Sequence, residues 1–145
     1  MSINKEEIKA YIKNSKTLSL ATVNDAGEPD IRTLGGYGVS DFEIYFATAK
    51  ESNKVKQLKN KNEVAVLFQH ENQTIPDFVN VTLYGKAVLT EGEDFITGKQ
   101  AILERRPQLS VAIASHNIYK LKTERIKVLD FKASNPGDRV HTINL

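Results

Sequence analysis

Between Ile31 and Lys54 the chain gathers side chains that could hold a phosphate. Arg32 lies in the run Ile31-Arg32-Thr33-Leu34. Ser52, Asn53 and Lys54 open a short helical pattern after Glu43-Ile44-Tyr45-Phe46-Ala47-Thr48. An arginine offers a two-pronged fork to a phosphate dianion and a lysine offers a point charge. A helix start adds N–H groups that have no partner within the helix. Together these residues predict a cradle for a phosphorylated cofactor. Each also has a plainer use. Arg32 could pair with Asp30 or Glu28 on the surface. Ser52 is a helix N-cap in either case. Lys54 belongs to a row with Lys56, Lys59 and Lys61 that water would solvate.

Other chemistries are excluded or weakly signalled. The chain has no cysteine, so disulfides, thiolate catalysis and cysteine-based metal sites are ruled out. His70, His116 and His141 are not paired at metal-ligand spacing, and no metal is expected. There is no Gly-x-Ser-x-Gly elbow. The formal net charge of +2 is too small to point to nucleic acid as a partner. No apolar run approaches the ~20 residues of a membrane span, and Met1 to Glu7 carry no apolar signal core. A cytoplasmic protein is the expectation. At 145 residues, one domain over 1–145 is expected.

The elements that must position the cradle follow from periodicity. Asn4 and Glu7 form a capping box ahead of a helix with Ile8, Tyr11 and Ile12 on one face. Thr17 to Val23 alternates as a half-buried strand. Asn24-Asp25-Ala26-Gly27 turns the chain, and the next strand runs from beyond Pro29 to Leu34. Gly35-Gly36-Tyr37-Gly38 reads either as a bulge or bend, or as a place where something flat approaches the backbone. Phe42 to Ala49 forms a strand, and the helix capped by Ser52 buries Val55 and Leu58. Glu63 to Phe68 is nearly continuously apolar, predicting a strand buried on both faces. Phe78 to Leu89 is a long strand with a bend at Gly85. Thr90 and Glu93 read as a second capping box for a helix ending near Arg106. Leu109 to Ala114 is predicted helical, and Tyr119 to Phe131 is the last strand. The tail from Arg139 reads as loose or docked on a neighbour. The sum is a mainly β chain with peripheral helices and six antiparallel strands, which favours a small closed or split barrel.

The order of these elements, with Leu20-Ala21-Thr22-Val23, Gly27-Glu28-Pro29, Arg32-Thr33-Leu34, Phe46-Ala47-Thr48 and Ser52-Asn53-Lys54, resembles the pyridoxamine 5′-phosphate oxidase-like, FMN-binding split-barrel family. That resemblance implies a six-stranded antiparallel split β-barrel. It implies FMN held by Arg32, Thr33, Leu34, Phe46, Ala47, Thr48, Ser52, Asn53 and Lys54. It further implies a homodimer with FMN at the subunit interface, where Asn80 of the second subunit reaches the flavin. The implied activity is a flavin-dependent oxidoreductase using a small substrate or a nicotinamide electron donor. The alternative is a non-catalytic FMN- or haem-binding or stress-response module of the same fold. The chain departs from the family's true oxidases in two ways. Gly35-Gly36-Tyr37 stands where they carry a lysine, and their tryptophan-containing C-terminal segment has no counterpart, because the chain has no tryptophan. Arg139-Val140-His141 echoes their Arg-x-His in a different setting.

Overall fold

A computed structural model describes residues 4–145. Helix α1 (Lys5–Asn14) starts where predicted: the Asn4 side chain accepts from the Glu7 N–H at 2.8 Å and donates to the Glu7 carboxylate at 3.0 Å. Its apolar face, Ile8 and Ile12, is buried in the main core.

Eight strands follow, two more than the sequence reading. They are β1 (Leu18–Val23), β2 (Pro29–Leu34), β3 (Tyr37–Ser40), β4 (Glu43–Ala49), β5 (Glu63–Gln69), β6 (Val79–Leu89), β7 (His116–Asp130) and β8 (Val140–Asn144). Helix α2 (Asn53–Asn60) joins β4 to β5, and α3 (Gly92–Arg105) follows β6. All pairings are antiparallel, in the order β2-β1-β5-β6-β7-β4-β3, with β8 also on β7. This curled sheet is a split barrel. The 15-residue β7 is its spine: one edge pairs with β6 from Tyr119 to Asp130, while the other pairs first with β4 (to Leu121) and then with β8 (from Arg125). Leu20, Val66, Leu83, Phe46 and Leu121 fill the interior.

Both extra strands have a physical cause. β3 lies in the glycine-rich break. What comes close to the backbone there is α3: a Cβ on Gly38 would lie 2.4 Å from the Ala101 carbonyl carbon. The glycine lets helix and strand touch. β8 lies in the tail, which docks on its own chain. It fills the edge of β7 that β4 leaves free, turning Ile143 towards the core beside Ile126.

Smaller differences are similar in kind. Thr90 does not cap α3; its buried hydroxyl donates to the Ile118 carbonyl at 2.7 Å, and Glu91 takes the N-cap position. The segment read as helical after Arg106 is two short 3-10 turns, Pro107–Leu109 and Ala112–Ser115. Within this chain β5 buries only Val64, Val66 and Phe68; Ala65 and Leu67 are half-buried on the outer face. At Gly85 the expected bend is a register shift against β7, where a Cβ would sit 2.0 Å from the Lys122 carbonyl oxygen. No helix among the described residues is long and apolar enough to cross a membrane.

Candidate phosphate and cofactor site

The β1–β2 register decides which way the arginine points. Arg32 lies opposite Leu20 and Leu34 opposite Leu18, on the face that β1 buries; Thr33 lies opposite Ser19 on the other face, exposed. The guanidinium turns towards α2 and the end of β1. Nη1 donates to the Leu20 carbonyl at 3.2 Å and to the Thr22 hydroxyl at 2.7 Å. Nη2 donates to the Asp30 carboxylate at 2.8 Å and to Gln57 Oε1 at 3.1 Å. Gln57 Nε2 donates to the same carboxylate at 3.3 Å, and the Thr22 hydroxyl donates to Gln57 Oε1. The simple pairing of Arg32 with Asp30 is therefore present. Glu28 plays no part and instead accepts from Asn24.

Ser52 caps α2, accepting from the Val55 N–H at 3.4 Å, and its hydroxyl lies 2.9 Å from that of the buried Thr48. The Lys56 N–H goes to the Ser52 carbonyl. The N–H groups of Asn53 and Lys54, at the start of the helix, lack acceptors within it. Lys54 is half-buried and makes no ion pair among the described residues. Burial, and then the nearby Arg32 charge, push its ammonium below the usual lysine range. Two cations thus lie near a helix start, and among the described residues Asp30, on Arg32, is the one ion-pair partner of either. That donor set fits a phosphate dianion: fork, point charge, hydroxyl and helix N–H groups.

The structure brings Arg32, Thr48, Ser52, Asn53 and Lys54 to one end of the barrel. Other predicted residues are placed differently. The Phe46 ring is fully buried in the core, stacked on Tyr119 with centroids 5.7 Å apart, and its strand is paired on both edges by β3 and β7, so one chain does not open Phe46 to a ligand. Ala47 donates its N–H to the Gly36 carbonyl and borders a cavity of about 160 Å³ with Leu109 and His116. Asn80 is buried on the outer face, in register with Gln69 and Leu129. Two strands, β1 and β5, separate its strand from β2. One chain does not bring it to Arg32.

Sequence reasoning did not single out Thr22 and Gln57. Thr22 continues the buried face of Leu18 and Leu20 as a polar residue, and Gln57 lies one helical turn after Lys54; both are visible cues. A cavity of about 670 Å³ lies elsewhere, between α1 and the 70–77 loop, and none of the predicted site residues lines it. There the His70 ring stacks on Tyr11 at 3.6 Å and donates from Nε2 to the Tyr11 carbonyl at 2.8 Å. Among the described residues no group of three or more His, Asp or Glu could hold a metal.

A curled antiparallel half-barrel of this topology, with an arginine, a serine and a lysine gathered at a helix start, defines a split-barrel protein. Residues 4–130 match the pyridoxamine 5′-phosphate oxidase family, and the chain belongs to it. A pyridoxine/pyridoxamine 5′-phosphate oxidase from Rippkaea orientalis is 31% identical over 130 residues, covering 85% of this chain and 59% of that protein. The chain thus spans about three-fifths of that relative's length. Among solved structures, a haem-binding protein from Mycobacterium smegmatis superposes with a TM-score of 0.82 at 17% identity, over 99% of this chain and 59% of that one. A Clostridium acetobutylicum protein related to general stress protein 26 superposes with a TM-score of 0.71 at 15% identity, over 99% and 97% of the two chains. These likenesses establish the fold.

Proposed function

We propose that the cradle of Arg32, Ser52 and Lys54 binds the phosphate of FMN, and that the protein is a flavin-dependent oxidoreductase acting on a small substrate. The observation that carries this reading is that Arg32, tied to α2 through Gln57 at 3.1 Å, shares the start of that helix with Ser52 and a half-buried Lys54 that has no ion pair among the described residues. Holding two cations together costs the folded chain stability unless an anion is shared between them. Membership of the family makes flavin the expected anion-bearing ligand. When bound, FMN supplies the redox chemistry itself. The chain's own residues bind and orient. Arg32 and Lys54 neutralise the phosphate. Ser52 fixes the helix start against Thr48. The backbone of Thr33 and Leu34 offers hydrogen-bonding groups beside the ligand.

The half-buried Ala65 and Leu67 and the exposed Ile31, on the outer face of β5 and β2, support a homodimer that covers them. In such a dimer Asn80 of the second copy supplies an amide to the flavin, completing two equivalent sites. The electron donor is a small molecule or a reduced nicotinamide.

An absorption spectrum of protein purified without added flavin, repeated during FMN titration, tests this. Flavin bands approaching one FMN per chain, lost in Arg32→Ala, are the expected result; oxidation of added reduced nicotinamide with turnover then distinguishes an enzyme from a carrier. No uptake at micromolar FMN overturns the flavin reading, and a Soret band in its place would identify a haem-binding module.

A further inference from the structure

We propose that Asp30 is an internal competitor for the ligand's phosphate: it occupies the prong of Arg32 that any two-pronged phosphate grip needs, so phosphate enters only by displacing it. This rests on the phosphate reading above. A guanidinium has five N–H groups, and four of those on Arg32 have partners within the chain. Its two-pronged edges are the end-on pair Nη1/Nη2 and the side-on pair Nε/Nη2. Both use Nη2, and both Nη2 hydrogens are taken, one by Asp30 at 2.8 Å and one by Gln57 at 3.1 Å. A bidentate phosphate must therefore replace one of the two.

Electrostatics selects Asp30. Gln57 is neutral and further held by the Thr22 hydroxyl. Asp30 is an anion that an arriving dianion repels. The Gln57 amide and the Arg32 charge hold its carboxyl below the usual carboxylate range, so it is ionised at neutral pH. Its side chain is half-exposed, with Arg32 at 19% and Asp30 at 50%, so it can swing into water without disturbing the core. The consequence is functional. A carboxylate in the cradle weakens every phosphorylated ligand and leaves the dephosphorylated form untouched. The phosphate is held exchangeably instead of permanently, and Asp30 sets how tightly.

The test compares the native protein with Asp30→Asn, which keeps the shape and removes the charge, and Asp30→Glu, which keeps the charge. FMN and riboflavin are titrated by flavin fluorescence, and thermal stabilisation by millimolar inorganic phosphate is measured alongside. Asp30→Asn is expected to bind FMN roughly threefold to tenfold more tightly, the scale of an exposed ion pair plus repulsion across solvent. Its riboflavin affinity should not change, and Asp30→Glu should stay native-like. A merely structural role would shift both flavins together. Equal or weaker FMN binding by Asp30→Asn overturns the proposal. If no form takes up flavin yet phosphate stabilises Asp30→Asn more than the native protein, the competitor stands and the flavin assignment falls. If neither flavin nor phosphate has any effect on either form, both fall.

Discussion

Replacing Gly38 with alanine tests whether the glycine-rich stretch exists for a helix or for a ligand. The added Cβ would lie 2.4 Å from the Ala101 carbonyl carbon, 2.6 Å from the Ile102 nitrogen and 2.7 Å from the Ala101 Cβ. Comfortable carbon contacts are about 3.5–4.0 Å, so strand and helix must part by about 1 Å. No rotamer relieves the clash, because two of the atoms are helix backbone and the third is a Cβ. The helix that must move also holds α1: Arg105 donates to the Lys13 and Ser15 carbonyls at 2.6 and 2.8 Å. It also buries Ile102 in the second core cluster. Overpacking costs about 1–3 kcal/mol, and the rigidity of these partners puts this case at the upper end, near 3 kcal/mol. For a chain of this size that is a fall in Tm of roughly 10 °C. Thermal unfolding followed by circular dichroism measures it. Gly35→Ala is the control, since a Cβ there meets nothing within 4 Å. A Gly38→Ala protein within about 2 °C of native would refute the close-approach argument. So would a Gly35→Ala protein that loses as much.

Three further outcomes follow from the same geometry. Lys54→Met should lose the phosphate response yet melt slightly higher without ligand. Burial and Arg32 lower the folded-state lysine pKa below its unfolded value, so the unfolded chain binds more protons and stability rises with pH through that window; at neutral pH the full penalty is present and the substitution removes it. A lower ligand-free Tm in Lys54→Met would contradict this. Arg105→Ala should cost about 2–3 kcal/mol by urea titration, because two carbonyls at the end of α1 lose a charged donor and the Tyr37 ring loses the guanidinium 4.1 Å away. Tyr11→Phe should cost about 1–3 kcal/mol and speed hydrogen exchange at the His70 amide, which donates to the Tyr11 hydroxyl at 2.9 Å; that hydroxyl in turn donates to the Val79 carbonyl.

What the sequence makes legible divides along a physical line. Patterns that repeat within one element are readable. Alternation marks β1 and β7, apolar runs mark β4, β5 and β6, and Asn4 and Ser52 mark the starts of α1 and α2 by cap chemistry alone. The cradle is partly readable for the same reason: Arg32 sits on one strand, and Ser52 and Lys54 lie a helical turn apart or less. Contacts between distant elements leave no such mark. Gly38 looks like any turn glycine until Ala101 of α3, more than sixty residues later, is laid across it. The tail carries too weak an alternation to announce β8, which forms because β7 outruns β4 and leaves an open edge. Phe46 fits a family motif and an apolar strand equally well, and only the packing of Tyr119 turns its ring into the core. The network around Arg32 is the sharpest case. Thr22, Asp30 and Gln57 belong to β1, β2 and α2, and no local pattern ties them together. Yet they decide which prongs of the arginine are free, and so whether the cradle holds its phosphate or lets it go.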